Sequence, residues 1–214
     1  MNASDRFHLE ALVLDAMGVL YAEADDGPNL LYPFIVENGG NRDVTEIIRL
    51  YSLASLGKIS SYEFWRAAGV DPKLEDEYLE RHKLSDGLTE FLKRMRSQGT
   101  DLWCLSNDVS EWSRKLRNRF GLPQYFREFI ISGDIGLRKP DPAVYRHMLD
   151  RAGAEPSEVV FIDDRLKNIA AAHVLGIRGI LFKPSAKDRT GHQHPIAENF
   201  ADLLTILENC FDKV

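Results

Sequence analysis

Short apolar runs of strand length recur along this chain: Ala11 to Leu14, Leu102 to Leu105, Phe129 to Ile131, Val159 to Ile162 and Ile177 to Phe182. Successive residues of a strand point to opposite faces, so a run that is apolar throughout needs cover on both sides. Helical patterns fill the intervals. Leu88, Phe91, Leu92 and Met95 share one helix face, with Gly99 as the stop. Asp141-Pro142 reads as a cap and first-turn proline for a helix ending at Gly153. Asp108 or Ser110 is expected to cap a helix through Trp112 and Leu116 to Gly121, and Arg165 to Leu175 forms another before Gly176. This alternation predicts an α/β fold, a Rossmann-like, doubly wound parallel sheet.

The interval 22–85 breaks the pattern. It holds no convincing strand; Val44 to Leu56, Ser60 to Ala68 and Lys73 to His82 read as helices, the second opened by a capping box of Ser60 and Glu63. The expected organisation is a core of residues 1–21 and 86–214 with an inserted all-helical cap at 22–85, placed as a lid over a site.

At 214 residues the chain can bury a sizeable core without disulfides or structural metal. Its net charge of -6 argues against a nucleic-acid or anionic-membrane partner. The basic stretches at Lys93 to Arg96 and Arg114 to Arg119 read as solvated helix faces. Cys104 reads as a buried strand thiol, and neither it nor Cys210 has metal or redox spacing. No apolar run is long enough to span a bilayer, and the first six residues lack a hydrophobic signal, so a cytoplasmic location is expected. Oligomeric state is left open.

In open α/β sheets the ligand site lies beyond the carboxyl ends of the strands. Asp15 follows the first run, Ser106 and Asn107 follow the second, and Asp163-Asp164 closes the fourth. Lys139 stands in Arg138-Lys139-Pro140-Asp141-Pro142. Singly, each has an ordinary reading: a loop aspartate, a Ser-Asn turn, a loop before a helix, an acidic helix cap. Together and in order at one sheet edge, they describe a phosphoryl-transfer site.

In these patches the chain resembles the haloacid dehalogenase superfamily, most of whose members are phosphatases, and within it the small-cap phosphatases. The resemblance spans nearly the whole chain. It rests on Asp15 with Gly18-Val19-Leu20, Ser106-Asn107, Gly136 to Pro142, and Asp163-Asp164 followed by Arg165, Asn168, Ala171 and Leu175-Gly176-Ile177. It implies Asp15 as nucleophile toward a small phosphorylated substrate, forming an aspartyl-phosphate. Lys139 supplies a fixed positive charge, and Ser106 with the Asn107 backbone supplies donors to the phosphoryl oxygens. Asp15, Asp164 and the Met17 carbonyl are the implied ligands of Mg²⁺, a hard cation suited to carboxylates, with Asp163 orienting a metal-bound water.

Met17 departs from that pattern. The family's phosphatases carry there an aspartate that protonates the leaving group, activates water and lends its carbonyl to the metal. Methionine keeps the carbonyl and loses the proton chemistry, which is worth about 10²–10⁴-fold in rate. The expected enzyme is a slow or specialised phosphatase favouring good leaving groups. Two alternatives stay open: a non-catalytic descendant binding a phospholigand or protein, and a haloacid dehalogenase. A departing halide needs no proton, and Asp15-Ala16-Met17-Gly18 is similar to the dehalogenase opening. Against it, Asp163-Asp164 would repel a haloacid carboxylate. Asp108, Tyr21 and Arg165 are the residues to watch for a replacement acid, although arginine is too basic for the task.

His192 and His194 invite a metal reading, but Pro184 to Pro195 is composed like a surface loop. His173 reads as a packing or surface residue. Tyr62, Phe64 and Trp65 either line the cap's inner face or pack its interior, whereas Phe91, Trp103, Phe129 and Phe161 are expected in the core.

Overall fold

A computed structural model describes residues 8–210. The expectation drawn from the first six residues lies outside them. The strands are β1 (Ala11–Leu14), β2 (Asp101–Ser106), β3 (Glu128–Ile131), β4 (Val159–Asp163), β5 (Arg178–Phe182) and β6 (Ile196–Ala197). All pair in parallel in the order β3-β2-β1-β4-β5-β6. The first five match the apolar runs to within a residue or two.

The strands' alternation builds two cores. Leu12 and Leu14 of β1, Leu102 and Cys104 of β2, and Val160 and Ile162 of β4 join the cluster on one face. Val13, Trp103, Leu105 and Phe161 join the cluster on the other. The first face is covered by α5 (Leu88–Ser97), α6 (Ser110–Arg119) and α10 (Phe200–Cys210), the second by α8 (Pro142–Ala152) and α9 (Leu166–Val174). The sheet is thus doubly wound, as the every-position apolar runs require.

Between β1 and α5 the insert is helical: α1 (Tyr32–Glu37), α2 (Val44–Ala54), α3 (Ser61–Ala67) and α4 (Glu75–Leu79), with a turn of π-helix at Gly27–Leu31 before α1. Its two ends meet, with Ala22 N–H donating to the Lys83 carbonyl and Ser85 N–H to the Leu20 carbonyl. Its apolar residues, Phe34 and Trp65 among them, belong to the same cluster as one face of the sheet. The insert therefore packs as a continuation of the core and has no separate interior.

The Ser60–Glu63 capping box and the Asp141 cap form as expected. The α6 cap does not: Val109 is the N-cap, Ser110 is already helical, and Asp108 accepts the adjacent Val109 N–H. The expected helix from Lys73 opens as a tight turn at Pro72–Leu74 and becomes α4 only from Glu75. No helix among the described residues is long and apolar enough to cross a membrane.

Candidate active site

The strand order reverses direction between β1 and β4. Such a reversal leaves a crevice at the carboxyl edge, because the helices following the two strands leave toward opposite faces. Asp15 follows β1, and its N–H donates to the Ile162 carbonyl of β4 at 2.9 Å. Asp163 ends β4, Asp164 follows it, and Ser106 ends β2. Lys139 reaches the same edge from the loop between α7 (Ser132–Ile135) and α8.

Lys139 is buried and uses all three ammonium hydrogens. Its Nζ lies 2.6 Å from Asp15 Oδ1, 2.8 Å from Asp163 Oδ2 and 2.7 Å from the Leu105 carbonyl oxygen. Burial disfavours the ammonium, but the Asp15 and Asp163 carboxylates outweigh it and hold Lys139 above its ordinary range. The Lys139 backbone is held as well. Its N–H donates to Asn107 Oδ1 and its carbonyl accepts from Asn107 Nδ2, each at 2.8 Å.

Asp163 is wholly buried and well satisfied. It accepts from Lys139, from both-oxygen contacts of Asn168 Nδ2 at 3.0 Å, and from the Arg165 N–H at 2.9 Å. Asp164 differs. Its Oδ1 is buried without a hydrogen bond, and Arg165 Nε at 3.8 Å is too distant to make one. Burial pushes Asp164 up to about 8, with Asp15 and Asp163 adding repulsion. Burial likewise pushes Asp15 up to about 7, against the pull of Lys139.

Oxygens of Asp15, Asp163 and Asp164 lie within 4.8 Å of one another. A buried, unpaired carboxylate oxygen beside two further carboxylates is a donor set for a hard divalent cation, and the residues present fit Mg²⁺. Gly18 permits the arrangement: its φ is +78°, and a Cβ there would sit 3.0 Å from Asp164 Cγ.

A cavity of about 250 Å³ opens beside this cluster, lined by Asp15, Met17, Ser106, Asn107 and Lys139. Ser106 Oγ is buried and without a partner, so its hydrogen is available to an incoming oxygen. Met17 is nearly buried and its side chain joins the apolar cluster, bringing no proton chemistry to the wall. Asp163 and Asp164 do not line this cavity. Asp164 borders a neighbouring one of about 300 Å³, which shares Asp25, Arg165 and Lys167 with the first.

The insert contributes wall residues that sequence reasoning missed: Asp25, Asp26 and Tyr51. The one available signal was an acidic pair directly after the first strand's motif and before Gly27-Pro28. Tyr51 of α2 donates its hydroxyl to the Asn107 carbonyl at 3.1 Å, tying insert to core. An apolar groove of about 260 Å³, lined by Leu31, Val44, Ile47 and Ile48, adjoins the cavity and shares Gly27, Pro28 and Tyr51 with it.

The other candidates lie elsewhere. Asp108 and Tyr21 are buried and do not line the cavity. Phe64 and Trp65 are fully buried, and Tyr62 faces solvent, so none of the three lines the site. His173 and His194 rings stand 5.1 Å apart and His194 and His192 5.6 Å, beside a separate cavity of about 470 Å³. Among the described residues only the three aspartates come together as metal donors.

Residues 9–176 match the family model for haloacid dehalogenase-like hydrolases. The chain is similar to phosphoglycolate phosphatase 1 of Pseudomonas aeruginosa, 29% identical over 143 residues, which is 64% of this chain and 49% of that protein. It thus spans about half the length of that curated relative. A wild-type haloacid dehalogenase family enzyme of Bacteroides thetaiotaomicron, solved with magnesium and inorganic phosphate, shares the fold at a TM-score of 0.68 and 23% identity, over 83% of this chain and 96% of that one. A 2-haloacid dehalogenase of Pseudomonas syringae pv. Tomato does so at 0.68 and 21%, over 94% and 99%. Identity at that level establishes the shared fold and leaves the choice of chemistry to the site.

Proposed function

The chain belongs to the haloacid dehalogenase-like hydrolases, and we propose that it is a Mg²⁺-dependent phosphatase acting on a small phosphorylated metabolite through an aspartyl-phosphate at Asp15. The observation that carries this reading is the 2.6 Å pairing of Asp15 with Lys139 beside the unpartnered Ser106 hydroxyl, all on one cavity. An Asp15 oxygen attacks phosphorus while the bond to the leaving oxygen breaks. Lys139 favours the ionised form of Asp15 and attracts the phosphoryl group. Ser106 Oγ–H and backbone N–H groups of the Asn107 loop donate to phosphoryl oxygens as negative charge spreads onto them. Asp15, Asp164 and the Met17 carbonyl are the residues that would hold Mg²⁺, which when bound offsets the repulsion between carboxylates and phosphate. Asp163 serves by holding Lys139, accepting from its Nζ at 2.8 Å.

The same features argue against a dehalogenase. A haloacid carboxylate approaching Asp15 would be repelled by the acidic cluster that Asp163 and Asp164 form with it, their oxygens within 4.8 Å of one another. The helices at 22–85 serve as the lid, and the adjoining apolar groove is suited to an apolar part of the substrate's alcohol. Phosphate release with and without Mg²⁺ tests the reading, on sugar, glycolate and apolar-alcohol phosphates beside Asp15→Asn. The expected result is Mg²⁺-dependent release that Asp15→Asn abolishes. Mg²⁺-dependent binding of a phosphate mimic without turnover on any ester would favour the binding-only descendant.

A further inference from the structure

Resting on the phosphatase reading, we infer that Asp26 is the general acid and base of the reaction, doing from the insert what Met17 cannot do from the core. Placement carries the assignment. Asp26 directly precedes the turn at Gly27–Leu31 and lines the cavity that holds Asp15, Ser106 and Lys139. The cavity's carboxylates among the described residues are those of Asp15, Asp25 and Asp26. Asp15 is the nucleophile, engaged by Lys139. Asp25 is largely exposed and pairs with Arg165 at 3.1 Å. Asp26 remains as the third carboxyl of the cavity wall, the one assigned to exchange the proton.

Its surroundings suit the task. Burial pushes Asp26 up to about 6, with Glu23 and Asp25 of its own loop raising it and Arg165 lowering it. Tyr51 of α2, Tyr78 of α4 and Asp108 beyond β2 also feel its charge. Both tyrosine hydroxyls are held well above their ordinary range by burial, so they stay protonated while Asp26 cycles. A general acid-base is most effective when its pKa lies near the working pH.

In the first step Asp15 bonds to phosphorus, the bond from phosphorus to the ester oxygen breaks, and that oxygen takes the Asp26 proton to leave as an alcohol. In the second, water attacks the aspartyl-phosphate, Asp26 carboxylate takes the water's proton, and the bond between phosphorus and Asp15 breaks. Phosphate leaves, with Asp15 ionised and Asp26 protonated again.

The test compares kcat/KM for an aryl phosphate, whose leaving group needs no proton, with that for an alkyl phosphate. In Asp26→Asn the alkyl rate should fall about 10²–10⁴-fold while the aryl rate changes little. Adding Met17→Asp to that variant should restore part of the alkyl rate. An equal fall on both substrates, or no fall, overturns the assignment while leaving the phosphatase reading intact. A wild-type protein that releases phosphate from neither ester overturns the phosphatase reading and this assignment with it.

Discussion

Asn107 and Lys139 exchange two hydrogen bonds, amide nitrogen to carbonyl and backbone N–H to amide oxygen, each 2.8 Å long. They lie 32 residues apart, Asn107 just after β2 and Lys139 on the loop between α7 and α8. This pairing sets where the Lys139 side chain begins its run to Asp15 and Asp163.

Asn107→Ala should therefore leave the lysine in place chemically and loosen it geometrically. We expect a loss of about 1–2 kcal/mol in urea unfolding and a kcat lower by up to about 10²-fold. A variant as active as wild type would show that the Asp15 and Asp163 contacts alone position the ammonium.

Asp15 and Asp164 are raised to about 7 and about 8, against an ordinary 3.8. In that window the folded chain holds protons that the unfolded chain has released. Stability of protein freed of divalent cations should then fall as pH climbs from about 4 to about 8. Mg²⁺ should raise the thermal midpoint more at about pH 8 than at about pH 5, since it binds the ionised carboxylates. Unfolding scans with chelator and with Mg²⁺ measure this; equal shifts at both pH values would contradict it.

Gly18→Ala tests the close approach to Asp164. The added methyl would combine a φ of +78° with 3.0 Å contacts to Asp164 Cγ and Ala24 Cβ. We expect a cost of about 1–3 kcal/mol and a higher Mg²⁺ concentration for half-maximal activity. An unchanged Mg²⁺ titration would place the ion away from Asp164.

Glu75 binds insert to core, accepting from Trp65 Nε1 at 3.0 Å and Trp112 Nε1 at 2.9 Å and pairing with Lys115 at 2.7 Å. Burial disfavours its charge, but bonds from Lys115, Ser61 and Trp112 prevail and hold it below the usual carboxylate range. The stabilisation is thus present above the ordinary glutamate pKa and is lost as pH falls through the lowered one. Glu75→Ala should cost about 3 kcal/mol near neutral pH by leaving two indole N–H groups buried and unpaired. Tryptophan fluorescence during urea unfolding gives the readout, and the difference from wild type should shrink in acid.

The five longer strands were legible because each contains a run of consecutive apolar residues, a pattern that two-sided burial explains. β6 has two residues and takes its place from pairing with β5, so no local signal marks it. Asp15, Ser106 and the acidic pair were legible as a set because each ends or follows a strand, and Lys139 through the Arg138-Lys139-Pro140-Asp141-Pro142 patch ahead of α8. Their division of labour was not. Asp163 and Asp164 are adjacent and identical in type, yet one is saturated by Lys139, Asn168 and Arg165 while the other keeps an unpaired oxygen.

By itself, the sequence determined the layered architecture and the edge of the sheet at which polar groups gather, because hydrophobic periodicity and strand ends are local properties. It also showed a methionine, which carries no titratable proton, two residues after Asp15. Tertiary structure alone decided that Asp26 reaches the wall of the cavity that Asp15 and Met17 line. Asp26 belongs to the insert, and its place on the cavity wall depends on how the helices from 27 to 79 pack against β1, β2 and α6. Its proton affinity depends on the burial that this packing creates. Neither the packing nor the burial is a property of the residues flanking Asp26.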